Sequence, residues 1–229
     1  MRNKGTELKK FDDVLSSDFN GREIVYGVMY AAEPGGTVLL IKKGQDKDGE
    51  QDEDVEKRVR GYGDRYLKMA DYYRNKRNVT VFVASNPFDG FDSVCDAVGV
   101  IGEYYRRHGI PEDEQRILYF GHSYGALAGA MYAHNYPQIT DMILVNMPPR
   151  LSFWEQFTEG MESFMRRGEL FFVYGENDPL FWSGKLLVGD EVEGLNFIPA
   201  EGADHNFTEQ TEAFIRIPEL FWEHHKSER

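Results

Sequence analysis

Ser123 stands in the pentapeptide Gly121-His122-Ser123-Tyr124-Gly125. A serine hydroxyl is a poor nucleophile until a base takes its proton, and a histidine base needs a carboxylate to hold its tautomer and stabilise the imidazolium. The chemistry such a serine could do is acyl transfer, provided a histidine and an acid can reach it. Of the six histidines, His108 and His134 fall in helical patterns or at their ends, His224 and His225 close the C-terminal helix, and His122 is inside the pentapeptide itself. His205 is left, in the loop Ala200-Glu201-Gly202-Ala203-Asp204-His205-Asn206-Phe207, just after an apolar run. For the acid, Asp178 lies in the turn-forming Gly175-Glu176-Asn177-Asp178-Pro179. Glu176 and Asp204 stand nearby as alternatives.

These residues need elements to position them. Arg116 to Phe120 reads as a strand that runs directly into the pentapeptide, and a helix rich in small residues, Ala126 to Ala133, follows at once. Strand, tight turn and helix are the setting of a Gly-x-Ser-x-Gly nucleophile elbow, which lifts the serine above the sheet edge. Glycines flank it because side chains there would strike the neighbouring strand or helix. The backbone N–H of Tyr124 points toward the place where an oxyanion would form.

Further short apolar runs recur at Thr37 to Ile41, Val79 to Ala84, Met142 to Asn146, Leu170 to Tyr174 and Leu195 to Pro199, as expected of strands buried on both faces. Between them, helical spacing links Val55, Val59, Tyr62, Tyr66, Met69 and Tyr73, then Val94 to Tyr105, then Trp154, Phe157, Met161 and Phe164. Gly21 to Ala31 and Thr37 onward, separated by Glu33-Pro34-Gly35-Gly36, predict an antiparallel N-terminal hairpin. The fold class is α/β: a mostly parallel, doubly wound sheet of about eight strands with helices on both faces. Residues 1–229 are expected to form one domain. Ligands in such sheets bind at the carboxyl ends of the strands, where Ser123, Asp178 and His205 all fall.

Nucleophile, acid and histidine in this order, each in a loop after a strand, resemble the α/β-hydrolase family over nearly the whole chain. The resemblance implies Ser123 as nucleophile, His205 as general base and then acid, and Asp178 as the orienting carboxylate. It also implies two oxyanion donors, Tyr124 and a residue after the third strand. The chain departs from the family there, with Lys42-Lys43-Gly44-Gln45 in place of a His-Gly turn, and Gln45 is the positional match. Many members insert a lid after the sixth strand, whereas residues 148–168 leave room for about one helix, a minimal insertion that predicts an open site.

Trp182, close to Asp178, and Trp154 are the candidate substrate-binding aromatics, and Arg150 is a candidate for holding a substrate carboxylate. Asp89, in Asn86-Pro87-Phe88-Asp89-Gly90-Phe91, is expected to serve a turn at the cleft rim. The net charge of −13, from 26 basic and 39 acidic residues, disfavours nucleic acid and anionic membrane surfaces as partners. The single cysteine, Cys95, forms no intrachain disulfide and belongs to no metal-ligand pattern. The acidic run Gly44 to Asp54 lacks the glycine and glutamate placement of an EF-hand and reads as a solvated loop. No apolar leader or membrane-length run is visible, which suggests a cytoplasmic protein. The expected activity is hydrolysis of a small carboxylic ester or thioester through an acyl-serine, without metal or organic cofactor. An acyltransferase, an amide or peptide hydrolase, or a non-catalytic binding protein on the same fold are the alternatives.

Overall fold

The computed structural model describes residues 10–44, 54–87, 90–189 and 192–227. Eight strands, β1 (Asp13–Phe19), β2 (Arg22–Met29), β3 (Thr37–Lys42), β4 (Thr80–Ala84), β5 (Arg116–His122), β6 (Ile139–Val145), β7 (Glu169–Gly175) and β8 (Asn196–Ala200), form one sheet. Their order is β1-β2-β4-β3-β5-β6-β7-β8. The β1–β2 and β2–β4 pairings are antiparallel and the others are parallel.

The central strands are apolar throughout because both their faces are covered. Within β3, Val38 and Leu40 face one core while Leu39 and Ile41 face the other, and all four are fully buried. Helices α3 (Ser93–His108), α4 (Tyr124–Tyr132) and α5 (Trp154–Met165) pack on the first face. The second face carries α1 (Lys57–Arg60), α2 (Arg65–Arg77), α7 (Thr211–Arg216) and α8 (Leu220–Ser227), while the short α6 (Phe181–Gly184) follows β7. Each fully buried Leu, Ile, Val or Phe contributes on the order of 1.5–3 kcal/mol, so these two layers supply most of the driving force. No helix among the described residues is long and apolar enough to cross a membrane.

Two local expectations are corrected. An antiparallel N-terminal hairpin exists, but it joins β1 to β2 through Asn20-Gly21, both at positive φ. β2 and β3 are not neighbours, because β4 lies between them. β1 escapes a search for apolar runs because it is a half-covered edge strand, Asp-Val-Leu-Ser-Ser-Asp-Phe, with no fully buried position. Nor do Val55 to Tyr73 form one helix. Gly61, Gly63 and Asp64 sit at φ of 69, 61 and 57°, which breaks the chain between α1 and α2.

The segment between β6 and β7 holds a turn at Leu151–Phe153 and then α5. α5 buries Phe157, Met161 and Phe164 and presses Gly160 against α4, where an added Cβ would lie 2.1 Å from the Ala130 carbonyl oxygen. It therefore belongs to the helical layer over the sheet. The chain reverses its direction of travel across the sheet between β3 and β5, and the loops leaving the carboxyl ends of those two strands border the crevice.

Candidate active site

β5 ends in an elbow built by close approach. Ser123 has φ 54° and ψ −121°, a conformation that costs a non-glycine residue on the order of 1–3 kcal/mol. Neighbouring elements hold it there: its N–H donates to the Val145 carbonyl on β6 (2.8 Å) and its carbonyl accepts the Leu127 N–H of α4 (3.1 Å). A Cβ on Gly121 would lie 2.7 Å from Ala126 Cα, and one on Gly125 would lie 2.1 Å from the Lys42 carbonyl oxygen. Those two glycines are what let β5, α4 and the end of β3 meet.

The structure brings Ser123, His205 and Asp178 together. Ser123 Oγ lies 3.0 Å from His205 Nε2, and His205 Nδ1 lies 2.6 Å from Asp178 Oδ2. Asp178 is 4% exposed, and its other oxygen, Oδ1, accepts the Leu180 N–H (2.8 Å), which fixes the carboxylate's orientation. The alternatives are placed elsewhere. Asp204 Oδ1 accepts the N–H groups of Asn206 and Thr208 (3.1 and 2.8 Å); desolvation pushes its carboxyl up, but these bonds, with the Arg65 charge, outweigh it and hold the carboxyl below the ordinary range. Glu176 is exposed.

Two side chains that composition and spacing did not single out for this purpose pin the His205 loop. His122 is fully enclosed; burial, with the nearby His205 and Arg65, pushes its pKa down from 6.5 to about 3, so its ring is neutral. Nε2 of His122 donates to the His205 carbonyl (2.9 Å), which leaves Nδ1 as the acceptor for the Tyr66 hydroxyl (2.9 Å). Asn146, at φ 47° just after β6, donates through Nδ2 to the same carbonyl (2.9 Å) and accepts the Gly175 N–H through Oδ1 (2.8 Å). The backbone of His205 is thereby tied to β5, β6 and β7 at once. Gly175 lets the loop close in, since a Cβ there would lie 2.4 Å from the Ala203 carbonyl oxygen.

No protein-family model matches the sequence, and no curated protein matches it. Solved structures do match. The esterase domain of a Rhodothermus marinus protein superposes with a TM-score of 0.64 at 10% identity, over 91% of this chain and 95% of that one. Est1E from Butyrivibrio proteoclasticus gives 0.61 at 12% identity, over 93% and 99%. An α/β serine hydrolase without a lid from Xanthomonas campestris gives 0.60 at 13%, over 93% and 96%. The chain has the α/β-hydrolase fold.

On this α/β-hydrolase fold, the loop after β3 runs against the elbow. A Cβ on Gly44 would lie 3.0 Å from Ser123 Cβ, so the glycine allows the approach. Gln45, the positional match for a second oxyanion donor, lies outside the described residues, as do residues 46–53 of the acidic run and Asp89. Tyr124 opens α4, and amides at a helix start point outward along its axis.

A cavity of about 540 Å³ opens beside Ser123 and His205, walled in part by Lys43, Tyr62, Arg65 and Tyr66. The candidate aromatics do not line it. Trp154 packs edge-on against Phe157 and borders a separate depression with Leu151 and Glu155, because α5 is turned onto the core. Trp182 is 66% exposed, beside Phe181 and under the Lys185 ammonium. Arg150 stacks on the Tyr124 ring (5.1 Å). Three of the residues that do form the wall, Tyr62, Arg65 and Tyr66, follow the Gly61 break. Two glycines inside a helical pattern were the available signal for it. Among the described residues, no group of His, Cys, Asp and Glu is placed to hold a metal ion.

Proposed function

We propose that this protein is a serine hydrolase that cleaves a small carboxylic ester or thioester through an acyl-Ser123 intermediate. The observation that carries the reading is the relay of two hydrogen bonds, 3.0 Å from Ser123 to His205 and 2.6 Å from His205 to Asp178, across three separate loops. As Ser123 Oγ bonds to the acyl carbon, its proton passes to His205 Nε2, and Asp178 stabilises the imidazolium. The negative charge on the acyl oxygen falls near the Tyr124 N–H. His205 then protonates the leaving alcohol or thiol as its bond to the acyl carbon breaks. Water attacks the acyl-enzyme, giving its proton to His205; the Ser123–acyl bond breaks, the carboxylic acid leaves and Ser123 regains its proton.

The cavity reaches the serine without a lid over it among the described residues, which suits small, freely diffusing esters. A membrane or nucleic-acid partner has no support in the net charge of −13, and a cytoplasmic setting suits the lone cysteine. The test is labelling of the folded protein with a fluorophosphonate at neutral pH, read by mass spectrometry. A single adduct on Ser123 is expected, and its absence would overturn the nucleophile assignment. Turnover of ester and amide pairs, with and without an added alcohol acceptor, separates hydrolysis from acyl transfer and from amide cleavage.

A further inference from the structure

The wall of the cavity beside Ser123 carries an arginine that forms no ion pair among the described residues, although its charge helps to hold the Asp204 carboxyl down from a longer distance. Arg65 is 6% exposed, yet no carboxylate lies within ion-pair distance of it among the described residues. Asp64, its neighbour in the chain, lies instead near Arg60. One terminal nitrogen, Nη1, donates to the Asn206 carbonyl, in the residue after His205. Nε is shielded from solvent and bonds to nothing, and Nη2 makes no hydrogen bond among the described residues. Nε and Nη2 form one edge of the guanidinium, the pair of parallel donors that a carboxylate's two oxygens match.

Three features make this placement costly unless an anion arrives. Burying a charge without an ion-pair partner is unfavourable, and the rings of Tyr62, Tyr66 and Phe214, at 5.5–5.8 Å, with the more distant charge of Asp204, offset it only in part. Arg65 is also the first residue of the 13-residue α2, where the helix dipole is positive and a cation is disfavoured. Finally, the chain carries a net charge of −13, but among the described residues no Asp or Glu lines this cavity, whereas Lys43 and Arg65 both do. The described part of the cavity wall is thus basic in an acidic protein. The backbone break at Gly61, Gly63 and Asp64 is what turns Tyr62 and Arg65 toward it.

We infer that Arg65 is a specificity residue that binds a carboxylate on the substrate, so that the preferred substrates are half-esters or half-thioesters of small dicarboxylic acids. The inference rests on the proposed hydrolase activity for its chemistry, but its binding part can be measured apart from it. A cavity of about 540 Å³ is within the range of small-molecule sites and has room for a short acyl chain with both ends held.

The test compares p-nitrophenyl half-esters of succinate, glutarate and adipate with the same compounds capped as methyl esters. The ratio of kcat/KM, half-ester over capped ester, should be at least tenfold for one chain length in the wild type. In Arg65→Gln that ratio should fall by about tenfold to a hundredfold, the loss of a charge-assisted hydrogen-bonded pair. Arg65→Lys, which keeps the charge but not the fork, should fall in between, and it serves as the second variant should the glutamine protein fail to fold. A wild-type ratio near one overturns the inference. So does an unchanged ratio in the variants with both rates lowered alike, the result of a merely structural role. A ratio that collapses in Arg150→Gln instead assigns the carboxylate to Arg150 and overturns it too.

Calorimetric titration of the wild type and Arg65→Gln with glutarate, and separately with inorganic phosphate, reads the subsite without turnover. Glutarate binding lost in Arg65→Gln together with absent esterase activity and no phosphonate adduct would keep the subsite and refute the hydrolase reading. Esterase activity without glutarate binding would do the reverse. Binding of phosphate but not glutarate refutes the carboxylate assignment.

Discussion

His122 makes the stability of this fold depend on pH in a calculable way. Its pKa is about 3 in the folded protein, against 6.5 for a free histidine, because burial disfavours the charged ring and His205 and Arg65 add repulsion. The folded value is the lower one, so the unfolded chain binds the extra proton. Stability from this group is therefore fully present above about pH 6.5 and is lost as pH falls toward 3. At about 1.4 kcal/mol per pH unit, the step from pH 7 to pH 5 removes about 2 kcal/mol through this one side chain. That is a large share of a typical total of about 5–15 kcal/mol. Protonation would also place a proton on Nδ1, the atom that accepts the Tyr66 hydroxyl. The assay is urea unfolding of the wild type and His122→Gln at pH 7, 6 and 5. Other titrating groups contribute to both proteins and cancel in the difference between their slopes. The wild type should lose about 2 kcal/mol more than the variant over this range. Parallel slopes would refute the buried, neutral histidine.

Three further outcomes follow from the same geometry. Asp178→Asn should leave the fold intact and lower kcat by about 10⁴, measured on any ester the wild type turns over, because the amide no longer holds the His205 tautomer. Gly125→Ala puts a Cβ 2.1 Å from the Lys42 carbonyl oxygen, so thermal unfolding should show a loss of about 3 kcal/mol or more; a wild-type melting curve would contradict the close approach of β3 and α4. Asn146→Leu strands the buried Gly175 N–H and frees one side of the His205 carbonyl. It should cost about 1–3 kcal/mol in urea unfolding and lower kcat by about tenfold or more, with a smaller effect on KM.

Much of this protein could be read before any coordinates. The elbow is legible because its requirement is local: a strand, a tight turn with glycines on both sides of Ser123, and a helix follow one another within about 15 residues. His205 and Asp178 are legible because each lies in a polar loop directly after an apolar run, and the core strands because burial on both faces leaves them uniformly apolar. The edge strand β1 and the neighbours of β2 were not, since half-covered strands carry a weak pattern and strand order is set by how layers pack. The walls of the cavity were legible least of all. Trp154 and Trp182 have the right residue type, but the orientation of α5 and the exposure of α6 take them away from Ser123. Arg65 and Tyr66 sit in what reads as a plain helical repeat, and only the backbone break and the packing of α2 on α7 bring them to the serine. The sequence by itself determined which residues could react, because that chemistry is written in residue type and in the turn around each one. The tertiary structure alone decided what surrounds them, because a pocket wall is assembled from segments whose proximity no local pattern encodes.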